Sequence, residues 1–198
     1  MRMGAGIRCS FEDTAQFMEG VVARLFGGDA VKVFGGFSLL VCRGEFAEAY
    51  LLRGGVADLV RGLMSSGRVP YAAGLYAGRL RKSRPTFVPS VDFLSFLYSG
   101  LGGFRRALVV GERGLKPFLY GKDVLKASVL ECFEPLSKGE VVGVVGEDGF
   151  VYGVGLSVID SCREVKGLRN VDVVAENVFD VGWYLRGGTE ARERKFKV

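Results

Sequence analysis

With 198 residues, 48% of them hydrophobic, and a formal net charge of only +5, the chain is expected to fold as an ordered, soluble protein of one large domain or two small ones. No uncharged apolar run reaches the roughly 20 residues that span a bilayer, and the opening MRMGAGIRCS lacks the apolar core of a signal peptide. These features argue against a membrane partner and place the protein in the cytoplasm.

A helix is predicted from about Phe11 to Phe26, capped by Ser10 with Asp13 completing a box-like pattern and stopped by Gly27 and Gly28. VKVF from Val31, FSLLVC from Phe37 and EFAEAYLL from Glu45 read as three strands of an antiparallel meander, turning at Gly35-Gly36 and Arg43-Gly44. A second helix follows from Val56, with Val56, Leu59, Val60, Leu63 and Met64 as its inward stripe. A strand is expected around Ala73 to Leu80, then a basic turn, then a third helix opened by Ser90 and Asp92. Gly100, Gly102 and Gly103 break that helix and mark a domain boundary. Beyond it RRALVVG, EVVGVVG, FVYGVGLSV and VDVVAE are valine-rich strand candidates separated by turns such as Glu147-Asp148-Gly149. So many short strands in so short a span suggest a small barrel or sandwich. FDVGWYLR reads as a short closing helix before a basic tail.

Catalytic chemistry finds no footing in this pattern. There is no histidine, so Ser-His and Cys-His arrangements are excluded, and the G-x-x-x-x-G-K-[ST] phosphate loop is absent. The glycines of VVGVVGEDGFVYGVG fit a hairpin better than a nucleotide loop. Cys9, Cys42, Cys132 and Cys162 lie far apart without a C-x-x-C pair, so neither a zinc site nor any other metal site is expected. They read as buried apolar thiols. The only side-chain amides are Gln16, Asn170 and Asn177, a scarcity typical of thermophiles, in which an intracellular disulfide is also permitted.

The stretch LKPFLYGKDVLKAS, Leu115 to Ser128, is the most informative. Phe118, Leu119 and Tyr120 can plug a barrel from a short helix, Gly121 can turn the backbone with positive φ, and Lys116, Lys122 and Lys126 then sit on the rim. Together with the K-G-E-V-V turn at Lys138 to Val142 and the G-V-G at Gly153 to Gly155, the stretch resembles a PUA domain, a small RNA-binding barrel. The succession KPFLYGKDVLKA, GEVVGVVG, YGVGLS, DSCREV and FDVGWYLR resembles the Nip-seven family of large-subunit ribosome biogenesis factors, archaeal type. That resemblance, with the break near Gly103, implies an α+β chain: an N-terminal α/β (pre-PUA) domain with an antiparallel sheet at 1–103 and a PUA barrel at 104–187, while the basic tail at 188–198 lies outside the resemblance.

Charge is segregated along the chain. There are six basic and two acidic residues from Arg105 to Lys126, four and ten from Glu131 to Asp180, and five and two from Arg186 to Val198. A PUA barrel that brings its first helix close to its C-terminal tail would gather Lys116, Lys122, Lys126, Arg186, Arg192, Arg194, Lys195 and Lys197 on one face, acting on phosphates. Arg163, Lys166 and Arg169 form a looser second group that a solvated loop explains as well. Arg79, Arg81, Lys82 and Arg84 make the densest basic cluster; it would extend an RNA track, bind an acidic protein, or keep an edge strand from pairing. The resemblance implies a protein with no catalytic residues, cofactor or small-molecule substrate, binding ribosomal RNA and other assembly proteins. The alternative is an RNA-binding accessory subunit of an RNA-modification enzyme.

Overall fold

The computed structural model describes residues 7–70 and 72–186, and the chain divides after Phe93 into two compact units. The basic tail, with Arg192, Arg194, Lys195 and Lys197, lies outside the described residues.

The first unit opens with a strand that the sequence reading missed, β1 (Arg8–Glu12). The helical segment starts after it as α1 (Thr14–Phe17), continues through a wider π turn (Met18–Ala23) and ends in α2 (Arg24–Phe26). Its cap is Asp13, not Ser10: the Asp13 carboxylate accepts the Gln16 backbone N–H at 3.1 Å. The run VKVF is also corrected, because Gly28–Val33 forms the short helix α3. A run of four residues with three apolar fits either element, and here Ala30 and Phe34 turn inward, Phe34 stacking on Phe93 at 4.7 Å.

The meander itself is present as β2 (Phe37–Arg43) and β3 (Ala47–Arg53), followed by α4 (Gly54–Ser65), β4 (Leu75–Leu80) and β5 (Phe87–Pro89). The five strands pair in sequence order, all antiparallel. Phe17, Phe26, Phe34, Phe87 and Phe93 form one buried aromatic group, each ring contributing a large apolar burial. On α4 only Ala57 and Val60 are buried, and Leu59 of the expected stripe is 75% exposed.

Helix α5 (Val91–Leu101) spans the division between the units. The Ser90 hydroxyl caps it, accepting the Phe93 N–H at 3.0 Å.

The second unit contains β6 (Ala107–Val110), α6 (Glu112–Phe118), β7 (Val124–Leu125), β8 (Val129–Phe133), β9 (Val141–Gly146), β10 (Val151–Ser157), β11 (Val173–Asp180) and the closing turn of helix α7 (Gly182–Leu185). Its six strands form a curled half-barrel in the order β7-β11-β10-β9-β6-β8. Every pairing is antiparallel except β6 with β9. Phe118, Val142, Val144 and Val174 fill its interior.

All four cysteines are oxidised, which corrects the expectation of free thiols: Cys9 pairs with Cys42, and Cys132 with Cys162. The first pair is opposed in the β1/β2 ladder. The second joins β8 to the β10–β11 loop with Cα atoms 5.6 Å apart, a spacing suited to a disulfide. No helix among the described residues is long and apolar enough to cross a membrane.

Candidate nucleic-acid interface

Helix α6 points its C-terminus into the half-barrel. Phe118 is fully buried, and its ring lies where any side chain at Gly153 would sit, 2.6 Å from a Cβ built there. Gly121 then reverses the chain with φ +80, a conformation that costs a side-chain-bearing residue strain. Tyr120, just before that turn, is 64% exposed.

The turn is fixed from below by a buried amide. The Asn177 Nδ2 donates to the Phe118 carbonyl at 2.9 Å, to the Lys122 carbonyl at 3.4 Å and to the Asp180 carboxylate at 3.2 Å. Its backbone N–H donates to Asp123 at 2.8 Å. Asp180 in turn accepts two bonds from the Arg186 guanidinium, at 2.8 and 3.1 Å, and Arg186 also donates to the Leu119 carbonyl. Sequence reasoning missed Asn177 and Asp180. The one signal was a lone amide inside the apolar run VVAENVFD, since a buried polar side chain is retained only with partners. Above this network, Glu112, Leu115, Lys116, Leu119, Tyr120, Gly182 and Arg186 line a groove of about 390 Å³.

The basic residues sort by what they touch. Lys116, Lys122, Arg163 and Lys166 are exposed and take no side-chain hydrogen bond or ion pair among the described residues. Arg113, exposed and one turn before Lys116 on α6, belongs with them by its i, i+3 spacing. Lys126, by contrast, donates to the Asn170 side chain at 3.1 Å, and its neighbourhood is sewn to the β10–β11 loop by Lys126 N–H to the Asp172 carbonyl and Ala127 N–H to the Asn170 carbonyl. The structure thus connects the two basic groups that the sequence left separate. Arg169 grips the Asp172 carboxylate at 2.8 Å, and Arg186 is held by Asp180, so both are structural ties first.

The Arg79 cluster is corrected in part. Arg79 is 2% exposed, pairs in register with the buried Glu48 and places its guanidinium 3.7 Å over the Phe46 ring. The aromatic face offsets part of the cost of its burial, and that burial removes it from any surface track. Arg81, Lys82 and Arg84 remain at the surface of the β4–β5 hairpin, beside the edge strand β5.

The Asp172 carboxyl is held below the usual carboxylate range, chiefly by the hydrogen bond from the Arg169 side chain and then by the Arg169 backbone N–H. Because folding lowers this pKa, the contribution of the clamp is present above the ordinary aspartate value and is lost as pH falls through the lowered one. A carbon-13 titration of the Asp172 carboxyl is expected to give a midpoint below that of an unstructured aspartate; a midpoint at or above it would refute the clamp.

The first unit holds a smaller hollow, about 290 Å³, lined in part by Glu12, Asp13 and Gln16. Its carboxylates are engaged, Glu12 by Arg43 and Asp13 by the Gln16 N–H. Bonding to Arg43 lowers the Glu12 pKa, the wrong direction for a general acid. Cys42 is tied in a disulfide. Among the described residues no three His, Cys, Asp or Glu side chains are placed to hold a metal.

A family model described as the UPF0113 PUA domain matches residues 106–189. A UPF0113 protein of Archaeoglobus fulgidus is 32% identical over 150 residues, covering 76% of this chain and 79% of that protein. The chain belongs to the UPF0113 family. Among solved structures, this UPF0113 chain is similar to a hypothetical protein of Pyrococcus horikoshii OT3, with TM-score 0.62 and 18% identity over 90% of this chain and 99% of that one. It is also similar to a conserved PUA domain protein of Thermoplasma acidophilum, with TM-score 0.53 and 16% identity over 88% and 95% of the two chains. A PUA domain of Aeropyrum pernix K1, solved as a tartrate complex, gives TM-score 0.51 and 12% identity over 91% of each chain. At these identities the likeness concerns the fold, and it supports a PUA domain as the second unit of the UPF0113 chain.

Proposed function

We propose that this protein is a non-catalytic RNA-binding factor acting in large ribosomal subunit assembly and precursor rRNA processing, as its resemblance to the Nip-seven family implies. The observation that carries the RNA reading is the set of exposed cations Lys116, Lys122, Arg163 and Lys166, left without side-chain partners among the described residues while neighbouring cations are consumed in structural ties. Such cations neutralise phosphates without reading sequence. Tyr120, presented on the rigid Gly121 turn, supplies a ring on which an unpaired base can stack. The first unit, with Arg81, Lys82 and Arg84 at its surface, either extends this contact or meets other assembly proteins.

Ultraviolet crosslinking of the tagged protein in its source cells, followed by sequencing of the attached RNA, tests the reading. Enrichment of large-subunit rRNA or its precursor is the expected result. Predominantly transfer RNA would shift the role to an accessory subunit of an RNA-modification enzyme, and no enrichment over a neutral control would overturn the RNA reading.

A further inference from the structure

The loop between β10 and β11 carries Arg163 and Lys166, both exposed and without a side-chain partner among the described residues, around a short 3₁₀ turn, Glu164–Gly167. It is tied at both ends, and the ties differ in kind. At its far end, Asn170 and Asp172 are bonded to the backbone and side chain of Lys126 and the backbone of Ala127. At its near end the covalent tie is Cys162, next in sequence to Arg163, which is bonded to Cys132 of β8, an edge strand of the sheet. Upstream of Cys162 the chain is anchored by the buried Ile159 and by Val158 N–H to the Val174 carbonyl at 3.0 Å. Beyond that anchor the loop is held to other segments by Cys162 N–H to the Glu134 carboxylate at 2.7 Å and Lys138 N–H to the Asp160 carboxylate at 2.9 Å, both solvent-exposed and neither covalent. Val165 and Leu168 are only partly buried against the core.

We infer that the Cys132–Cys162 disulfide is the latch that positions this basic loop for RNA, so that a dithiol reductant weakens RNA binding without unfolding the barrel. The inference rests on the RNA reading above. In the reaction one thiolate of the reductant attacks a sulfur of the bond, giving a mixed disulfide. The second thiolate then displaces the remaining cysteine, so that the reductant leaves as its own disulfide and Cys132 and Cys162 each end as thiols. Freed at its near end, the loop samples open states while the β9–β10–β11 ladder stays paired, and Arg163 and Lys166 must be ordered anew on binding. The other disulfide differs in position. Cys9 and Cys42 already face each other across hydrogen-bonded strands, so cutting that bond frees no loop.

The test compares the oxidised protein, the same protein in dithiothreitol, C132A/C162A and C9A/C42A. Binding is read by anisotropy of a labelled oligouridine at fixed salt, and backbone order by hydrogen exchange. Reduction and C132A/C162A are each expected to weaken binding about three- to tenfold and to speed exchange in residues 161–169 but not in 141–157, with C9A/C42A unchanged. If C132A/C162A does not fold, the reduced wild-type protein carries the comparison. Equal affinity before and after reduction overturns the proposal, as does faster exchange throughout 141–157, which would make the bond a support of the whole barrel. Absence of binding by the oxidised protein defeats the RNA reading instead, and the exchange data still decide whether the loop is latched.

Discussion

Replacing Lys116, Lys122, Arg163 and Lys166 together with glutamine is expected to lower affinity for single-stranded RNA on the order of a hundredfold at about 0.1 M salt. All four are exposed and without a side-chain bond among the described residues, so the substitutions remove charge without breaking a described internal bond. The more diagnostic readout is the dependence on salt. Each phosphate contact to a single strand contributes about 0.7 to the slope of log affinity against log salt, so loss of four should flatten the slope by roughly 3. Substitutions at Lys126, Arg169 and Arg186 would instead confound binding with stability, since those side chains hold Asn170, Asp172 and Asp180. An unchanged slope in the quadruple variant, with the fold intact, would place the RNA elsewhere or nowhere.

Phe118→Ala should be the most damaging single change to stability. The ring is fully buried in the half-barrel and fills the space left by the missing side chain of Gly153, so truncation leaves a cavity that a glycine cannot help to close. Deletions of this kind cost about 3–5 kcal/mol, equivalent to a fall in melting temperature of roughly 10 °C for a chain of this size. The neighbouring Tyr120→Ala, at an exposed ring, should shift stability by no more than about 0.5 kcal/mol while weakening RNA binding. Comparable melting curves for the two variants would refute the division of Phe118 and Tyr120 into plug and contact.

What the sequence made legible follows from how locally each feature is determined. FSLLVC and EFAEAYLL alternate or run apolar between clear turns, and they form β2 and β3 as expected; Gly121 announced its positive φ by standing between an aromatic and a lysine. Ser90 as a cap is equally local. VKVF failed because three apolar residues in a run of four do not distinguish a strand from one turn of helix, and Asp13 displaced Ser10 because a strand already occupied the residues before it. The disulfides and the Asn177 network were out of reach for a different reason. Each joins residues whose proximity is set only by ladder register or by the path of a loop, and no spacing rule along the chain encodes either. The same holds for Arg79, whose place opposite Glu48 is set by the register of a neighbouring strand. Charge counting could therefore find the basic segments but could not separate cations that are free to bind from those already engaged.

The pairing of β7 with β11 has a bearing on when, during its own synthesis, this chain becomes competent. β7 and the turn before it are made early, yet their partner strand, with Asn177 and Asp180, is among the last described segments. Long-range pairings of this kind close late, after the intervening chain is available. A nascent chain halted before β11 would carry every lysine of the α6 turn but neither Asn177 nor Asp180, which bond to it. If the turn contacts RNA as proposed, its full bracing waits for completion of the barrel.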